Sequence, residues 1–212
     1  MRIVVGSGSS RDVREAEFDR HVGILSEFIG RVETRGDEPR LLTMILRSAA
    51  SSPAHALILK TRDLSRAHIA AKVVVTKLEP EDVLRHLYVC LSELSPGTPA
   101  KQLIRWARNP RLLDAHEQVT CGASLCWSGD SMRRDADKRN ALSLLEDESG
   151  GMVQLGQVAF KALWSVSATI TERRLIGPAL PKPSGAYEPD AETIATVSAL
   201  RQGLQGWPLL RH

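Results

Sequence analysis

Gln118-Val119-Thr120-Cys121-Gly122-Ala123-Ser124-Leu125-Cys126-Trp127-Ser128 is the stretch on which the fold turns. Two short runs of β-forming residues flank Gly122, so residues 118–121 are expected to pair with 125–128 in a hairpin. Working outward, residues 103–108 alternate in the manner of a strand, with Ile104 and Trp106 on one face. Val73-Val74-Val75 is β-branched and bounded by Pro80, which marks a further strand. Residues 141–145 read as a buried strand on the other side. A helix from Gln154 to about Ile170 comes next, presenting Leu155, Val158, Ala159, Leu163 and Val166 at helical spacing.

The rest of the chain fits around these elements. Val83, Leu84, Leu87, Leu91 and Leu94 mark an amphipathic helix that Ser95-Pro96-Gly97-Thr98-Pro99 ends. Near the start, residues 2–5 read as a short strand. Asp12 with Glu15 has capping-box spacing, and Phe18, Val22, Leu25, Ile29 and Val32 continue a helix that Gly36 stops. A second helix is expected from Pro39, burying Leu42, Ile45, Leu46 and Ala49. Residues 55–60 are short and apolar enough to be strand or helix, since such runs declare no period. Pro178, Pro181, Pro183 and Pro189 crowd one stretch that reads as an extended linker before a last helix capped by Asp190. The expectation is an α/β protein with a mixed β-sheet flanked by helices. Its segments are a helical N-terminal region at 1–71, a main domain at 72–170, and a Pro-rich linker with a C-terminal helix at 171–212.

Composition narrows the function classes. Hydrophobic residues make up 42% of the 212 positions, enough for a sizeable core. Aromatic residues are only 4%, which argues against recognition by a row of stacked rings. The formal charge of +3 tolerates an anionic partner without demanding one. Cys90, Cys121 and Cys126 are odd in number, and no apolar leader follows the first residues. Reduced thiols and a cytoplasmic location are therefore expected. No apolar run is long enough for a membrane span.

From Lys72 onward, the element order and several local motifs resemble one half of a phospholipase D-like (HKD) protein. Asp114-Ala115-His116-Glu117-Gln118-Val119 is similar to the start of that family's H-x-K motif. Leu125-Cys126-Trp127-Ser128-Gly129-Asp130-Ser131-Met132 resembles the apolar strand and Gly-Ser segment after it. Arg139-Asn140-Ala141-Leu142-Ser143-Leu144-Leu145 and Phe160-Lys161-Ala162-Leu163-Trp164 resemble the later strand and closing helix. The resemblance implies a histidine nucleophile attacking phosphorus, a lysine and an asparagine holding the phosphate, and an aspartate aiming the imidazole. His116 alone keeps its place. Gln118 stands for the lysine, Ala123 for the aspartate, Asp130 for the serine after Gly129, and Met132 where the asparagine usually comes. The motif is degenerate, and the loss of several such groups argues against hydrolysis, because removing one oxyanion donor elsewhere costs about 10²–10³-fold.

Other groups of residues qualify as sites. Arg105, Arg108 and Arg111 precede His116, and Arg133, Arg134, Lys138 and Arg139 come after the hairpin. Together with Gln118, these are the candidate ligand-binding residues for a phosphate-bearing ligand or nucleic acid, although Asp130, Asp135 and Asp137 interleave with them. His116, Cys121 and Cys126 form an H-x4-C-x4-C array in which the thiols would face each other across the hairpin. It lacks a fourth ligand, so no metal is assigned. Gly6 and Gly8 form a fragment of a dinucleotide loop with Arg11 at the third glycine position, which reads as a turn; no cofactor is implied. Ser128 and Ser131 near Gly129 do not make a nucleophile elbow.

Three functions are consistent with these features. The first is a non-catalytic phospholipase D-like module that binds a protein partner or a phosphate-bearing ligand. The second is a phosphodiesterase using His116 in a rearranged site, with Arg133, Arg134 or Lys138 in place of the lysine. The third is a structural or regulatory interaction protein. A single half is expected to pair with a second copy as a homodimer.

Overall fold

The computed structural model describes residues 2–5, 10–109, 116–129, 142–147 and 150–176, all within one compact unit, Met1–Gly177. The elements in chain order are β1 (Arg2–Val5), α1 (Ser10–Thr34), β2 (Leu41–Leu46), α2 (Ser52–Arg66), β3 (Ala70–Val75), α3 (Glu81–Leu94) and α4 (Ala100–Leu103). They continue as β4 (Ile104–Trp106), β5 (Gln118–Cys121), β6 (Leu125–Gly129), β7 (Leu142–Asp147), α5 (Gly150–Val166), β8 (Ala168–Thr169) and α6 (Glu172–Ile176).

The chain is an α/β protein built on one mixed sheet with strand order β1-β7-β6-β5-β2-β3-β4-β8. β2, β3 and β4 run parallel, joined by crossovers through α2 and through α3 with α4. The remaining pairings are antiparallel. The expected hairpin is present, with Gln118 opposite Ser128 and Cys121 opposite Leu125.

The expected second helix from Pro39 is instead β2, the strand at the junction of the parallel and antiparallel halves. Leu42 to Leu46 are all buried. A strand covered on both faces is apolar throughout, so its period of two is erased and the run passes for a helix. The expected boundary between residues 71 and 72 falls inside β3. β2 pairs with β3 and β5, so the N-terminal stretch, although it carries α1 and α2, shares its sheet and core with the later strands. The segment left open at 55–60 lies in α2, which Pro53 starts. α1 begins at Ser10, two residues before the expected cap Asp12. Gly6, Gly8 and the tail helix expected from Asp190 lie outside the described residues.

The two faces of the sheet are covered unequally. Leu42, Met44, Leu46, Val73, Val75, Val119 and Trp127 meet α1, α2 and α3 in the large core, where Leu25, Phe28, Leu57, Leu84 and Leu87 are fully buried. On the opposite face, α5 packs Phe160 against Ile45, Val74 and Ala107 in a small second cluster. Polar ties hold α5 there: Arg105 Nη1 donates to Trp164 O at 2.9 Å, and Gln157 Nε2 donates to Gly122 O at 3.0 Å.

The β5–β6 turn depends on Gly122. Its φ of +55° belongs to the left-handed region, and an added Cβ would run into Glu38 Oε1 and lie 2.9 Å from Pro39 O. That Glu38 oxygen already accepts bonds from Ala123 N and Ser124 Oγ. Gly122→Ala is therefore expected to lower stability by about 1–3 kcal/mol. Urea unfolding of both proteins measures this, and an unchanged midpoint would refute the turn's role.

Candidate functional site

His116 sits just before β5, exposed, with Nδ1 2.8 Å from the carbonyl oxygen of Gly129 at the end of β6. A carbonyl only accepts, so in this contact Nδ1 is the donor and the ring plane is fixed by the backbone of β6. Backbone from the partner strand β6 thus orients the imidazole.

Alternation along β5 sends His116, Gln118 and Thr120 to the α5 side. On that side His116 and Gln118 line one wall of a groove of about 640 Å³ beside α5, with Cys126 and Ser128 from β6. Met152, Leu155, Ala159, Leu163 and Val166 form the helical wall. No lysine or arginine lines this groove among the described residues.

Gln118, a candidate ligand-binding residue, is buried and its amide is already engaged. Nε2 donates to Thr120 Oγ1 at 2.8 Å and to Gly156 O at 2.9 Å. The approach of α5 at this point is close enough to need a glycine. A Cβ on Gly156 would lie 2.8 Å from Gln118 Nε2, 2.9 Å from Cys126 Sγ and 3.0 Å from Thr120 Oγ1. Gln118 thus fastens the helix to the sheet.

The candidate arginines separate. Arg105 lies on β4, three strands from β5, a distance of about 14 Å at normal strand spacing. Its guanidinium stacks 4.7 Å from the Trp164 ring centre and bonds the Trp164 carbonyl, so it secures the last turn of α5 and does not join His116. Arg108 is exposed just after β4. Arg111, Arg133, Arg134, Lys138 and Arg139 lie outside the described residues, as do Asp114, Asp130, Ser131 and Met132. The expected meeting of the two hairpin thiols is also corrected. Cys121 pairs with Leu125 and Cys126 with Thr120, so their side chains point to opposite faces. Burial pushes the Cys121 thiol far above its ordinary range, which disfavours the thiolate that a metal needs.

A second cleft, of about 480 Å³, opens beyond the end of β2 and was not foreseen. Arg47, Ser51, His55 and Glu117 line it, with Glu17 from α1. Glu117 Oε1 accepts the Arg47 backbone N–H at 2.8 Å, and burial pushes its carboxyl up. Nearby, His21 is buried edge-on against Trp127, with ring centres 4.3 Å apart and planes at 82°. Its Nδ1 lies 3.4 Å from Ser52 Oγ, and Nε2 has no partner. His21 lies beside the apolar stripe of α1 in sequence, and only the packing of α1 over β6 reveals its environment.

No protein-family model matches the chain, and no curated protein matches it. Among solved structures, an archaeal chromatin protein, TrmBL2, described as showing a novel mode of DNA binding, aligns with a TM-score of 0.46 and 12% identity. The alignment covers 80% of this chain and 54% of that one, so the chain spans about half the length of that structure.

Burial lowers the His21 pKa from 6.5 to about 4. Below pH 6.5 the unfolded chain takes up a proton that the folded chain refuses, so stability falls as the pH drops from 6.5 to 4, by up to roughly 3 kcal/mol. Glu117, with its raised pKa, works in the opposite sense, losing stability as pH rises. The difference between wild type and His21→Phe isolates the histidine. Urea midpoints across this window are expected to fall less steeply in His21→Phe; equal slopes would show that His21 is not held neutral.

Proposed function

We propose that this chain is a phospholipase D-like half that has lost phosphodiester hydrolysis and works by binding a protein partner, with a second copy of itself as the first such partner. The observation that carries the reading is the lining of the histidine groove. A phosphoryl-transfer site must neutralise the charge on the non-bridging oxygens, yet the described residues around His116 supply no cation, and Gln118 spends its amide on α5. An oriented imidazole needs such a cation for phosphoryl transfer, and the described residues supply none.

The same groove has the character of a protein contact. α5 carries one charged residue, Lys161, in seventeen, and Leu155, Val158 and Val166 stand 61%, 61% and 74% exposed. Apolar residues concentrated on one face are what an interface core requires. Among the described residues no helix is long and apolar enough to cross a membrane, so a bilayer-spanning role for α5 has no support.

Two measurements test this reading. Purified wild type and His116→Ala are both expected to hydrolyse bis-p-nitrophenyl phosphate only at the background rate; turnover that disappears in the variant would establish an enzyme instead. Analytical ultracentrifugation at micromolar concentration is expected to give a dimer for wild type and a monomer for Leu155→Glu, with unchanged circular dichroism. A monomeric wild type would remove the second copy as the partner.

A further inference from the structure

On the other flank of α5 lies a cleft distinct from the histidine groove. It measures about 300 Å³ and lies over the N-terminal half of β2, between β3 and α5. Leu41 and Phe160 provide apolar wall, the Trp164 ring closes one side, and Lys72 and Lys161 stand at its margin. Neither ammonium has an ion-pair partner among the described residues. Lys72 Nζ lies 5.8 Å from the Trp164 ring centre, a contact that keeps the charge beside the cleft. No carboxylate lines the cleft among the described residues. Glu38, near the Gly122 end, is occupied by the Ala123 N–H and the Ser124 hydroxyl.

Thr43 supplies an independent observation. It sits in β2, lines this cleft, and is 9% exposed, with an Oγ1 that is buried and has no hydrogen-bond partner. Buried hydroxyls are normally satisfied, because stripping one of water without a replacement bond is costly. An unsatisfied hydroxyl beside two uncompensated cations and an aromatic wall is a set of groups for which a ligand is the missing partner. The volume is at the lower end of that for small-molecule sites, about 300–1,000 Å³, which limits the occupant to roughly one ring.

We propose that this cleft binds a small single-ring anion, a carboxylate or phosphate monoester. The ring lies against Trp164 and Phe160, and the anionic head accepts from Lys72, Lys161 and the Thr43 hydroxyl. Lysine suits either head group, since its ammonium acts as a point charge and does not select planar geometry. The inference does not depend on the reading of the histidine groove, because α5 runs between the two and none of Thr43, Lys72 and Lys161 lines that groove.

Isothermal titration calorimetry of the full chain with phenyl phosphate and with benzoate tests it, using benzyl alcohol and inorganic phosphate as probes that carry only the ring or only the charge. At least one ring-bearing anion is expected to bind about tenfold tighter than either control. The Lys72→Gln/Lys161→Gln double variant is expected to weaken that binding at least about tenfold, the scale of one lost hydrogen bond to a charged group, without lowering the thermal midpoint. Thr43→Val, which removes only the hydroxyl, is expected to weaken binding several-fold while the ligand-free protein melts no lower than wild type. The proposal is overturned if neither anion binds at millimolar concentration, if benzyl alcohol binds as tightly as the anions, or if the double variant binds as well as wild type.

Discussion

The fold depends on the placement of β2 between β3 and β5. Six residue pairs join it in parallel to β3, and four join it antiparallel to β5, so it links the crossover-built half of the sheet to the meander half. Leu42, Met44 and Leu46 enter the large core, while Thr43 and Ile45 turn toward α5. Complete burial of an aliphatic side chain contributes about 1.5–3 kcal/mol. Four such residues in one strand therefore represent a stabilisation comparable with the net stability of a whole domain, about 5–15 kcal/mol.

From this central strand the two faces diverge in character. Helices α1, α2 and α3 seal one face, leaving Trp127 and His21 in contact in a buried interior. The other face has α5 as its main cover, fastened by the close approach at Gly156, by Gln118, by Gln157 and by Arg105. One helix over a broad sheet necessarily leaves a furrow along each side. The furrow with His116 is apolar and lacks cations among the described residues; the one with Lys72 and Lys161 is cationic and partly aromatic. Their opposite chemistry comes from which flank of α5 and which strands supply the walls.

Two of the candidate ligand-binding residues, Gln118 and Arg105, serve packing in this chain. An amide at 118 reaches both a strand hydroxyl and a helix carbonyl, which a lysine ammonium in the same buried place would do only at the cost of desolvating a charge. Arg105 likewise works through the carbonyl and ring of Trp164. Residue types associated with anion chemistry have here become the fasteners of a helix.

The sequence by itself determined the elements whose signals are local. The 118–128 hairpin turned on Gly122, β3 was marked by three consecutive valines, and α3 by leucines on one helical face; all three are present. Tertiary structure alone decided the rest. β2 looked helical because burial on both faces removes the polar positions that reveal a strand's period. The partners of Arg105, Gln118, His21 and Lys72 lie on elements distant in the chain, and a long or buried polar side chain takes its role from whichever strand or helix the sheet order brings beside it. That order is fixed by long-range pairing, on which local sequence is silent.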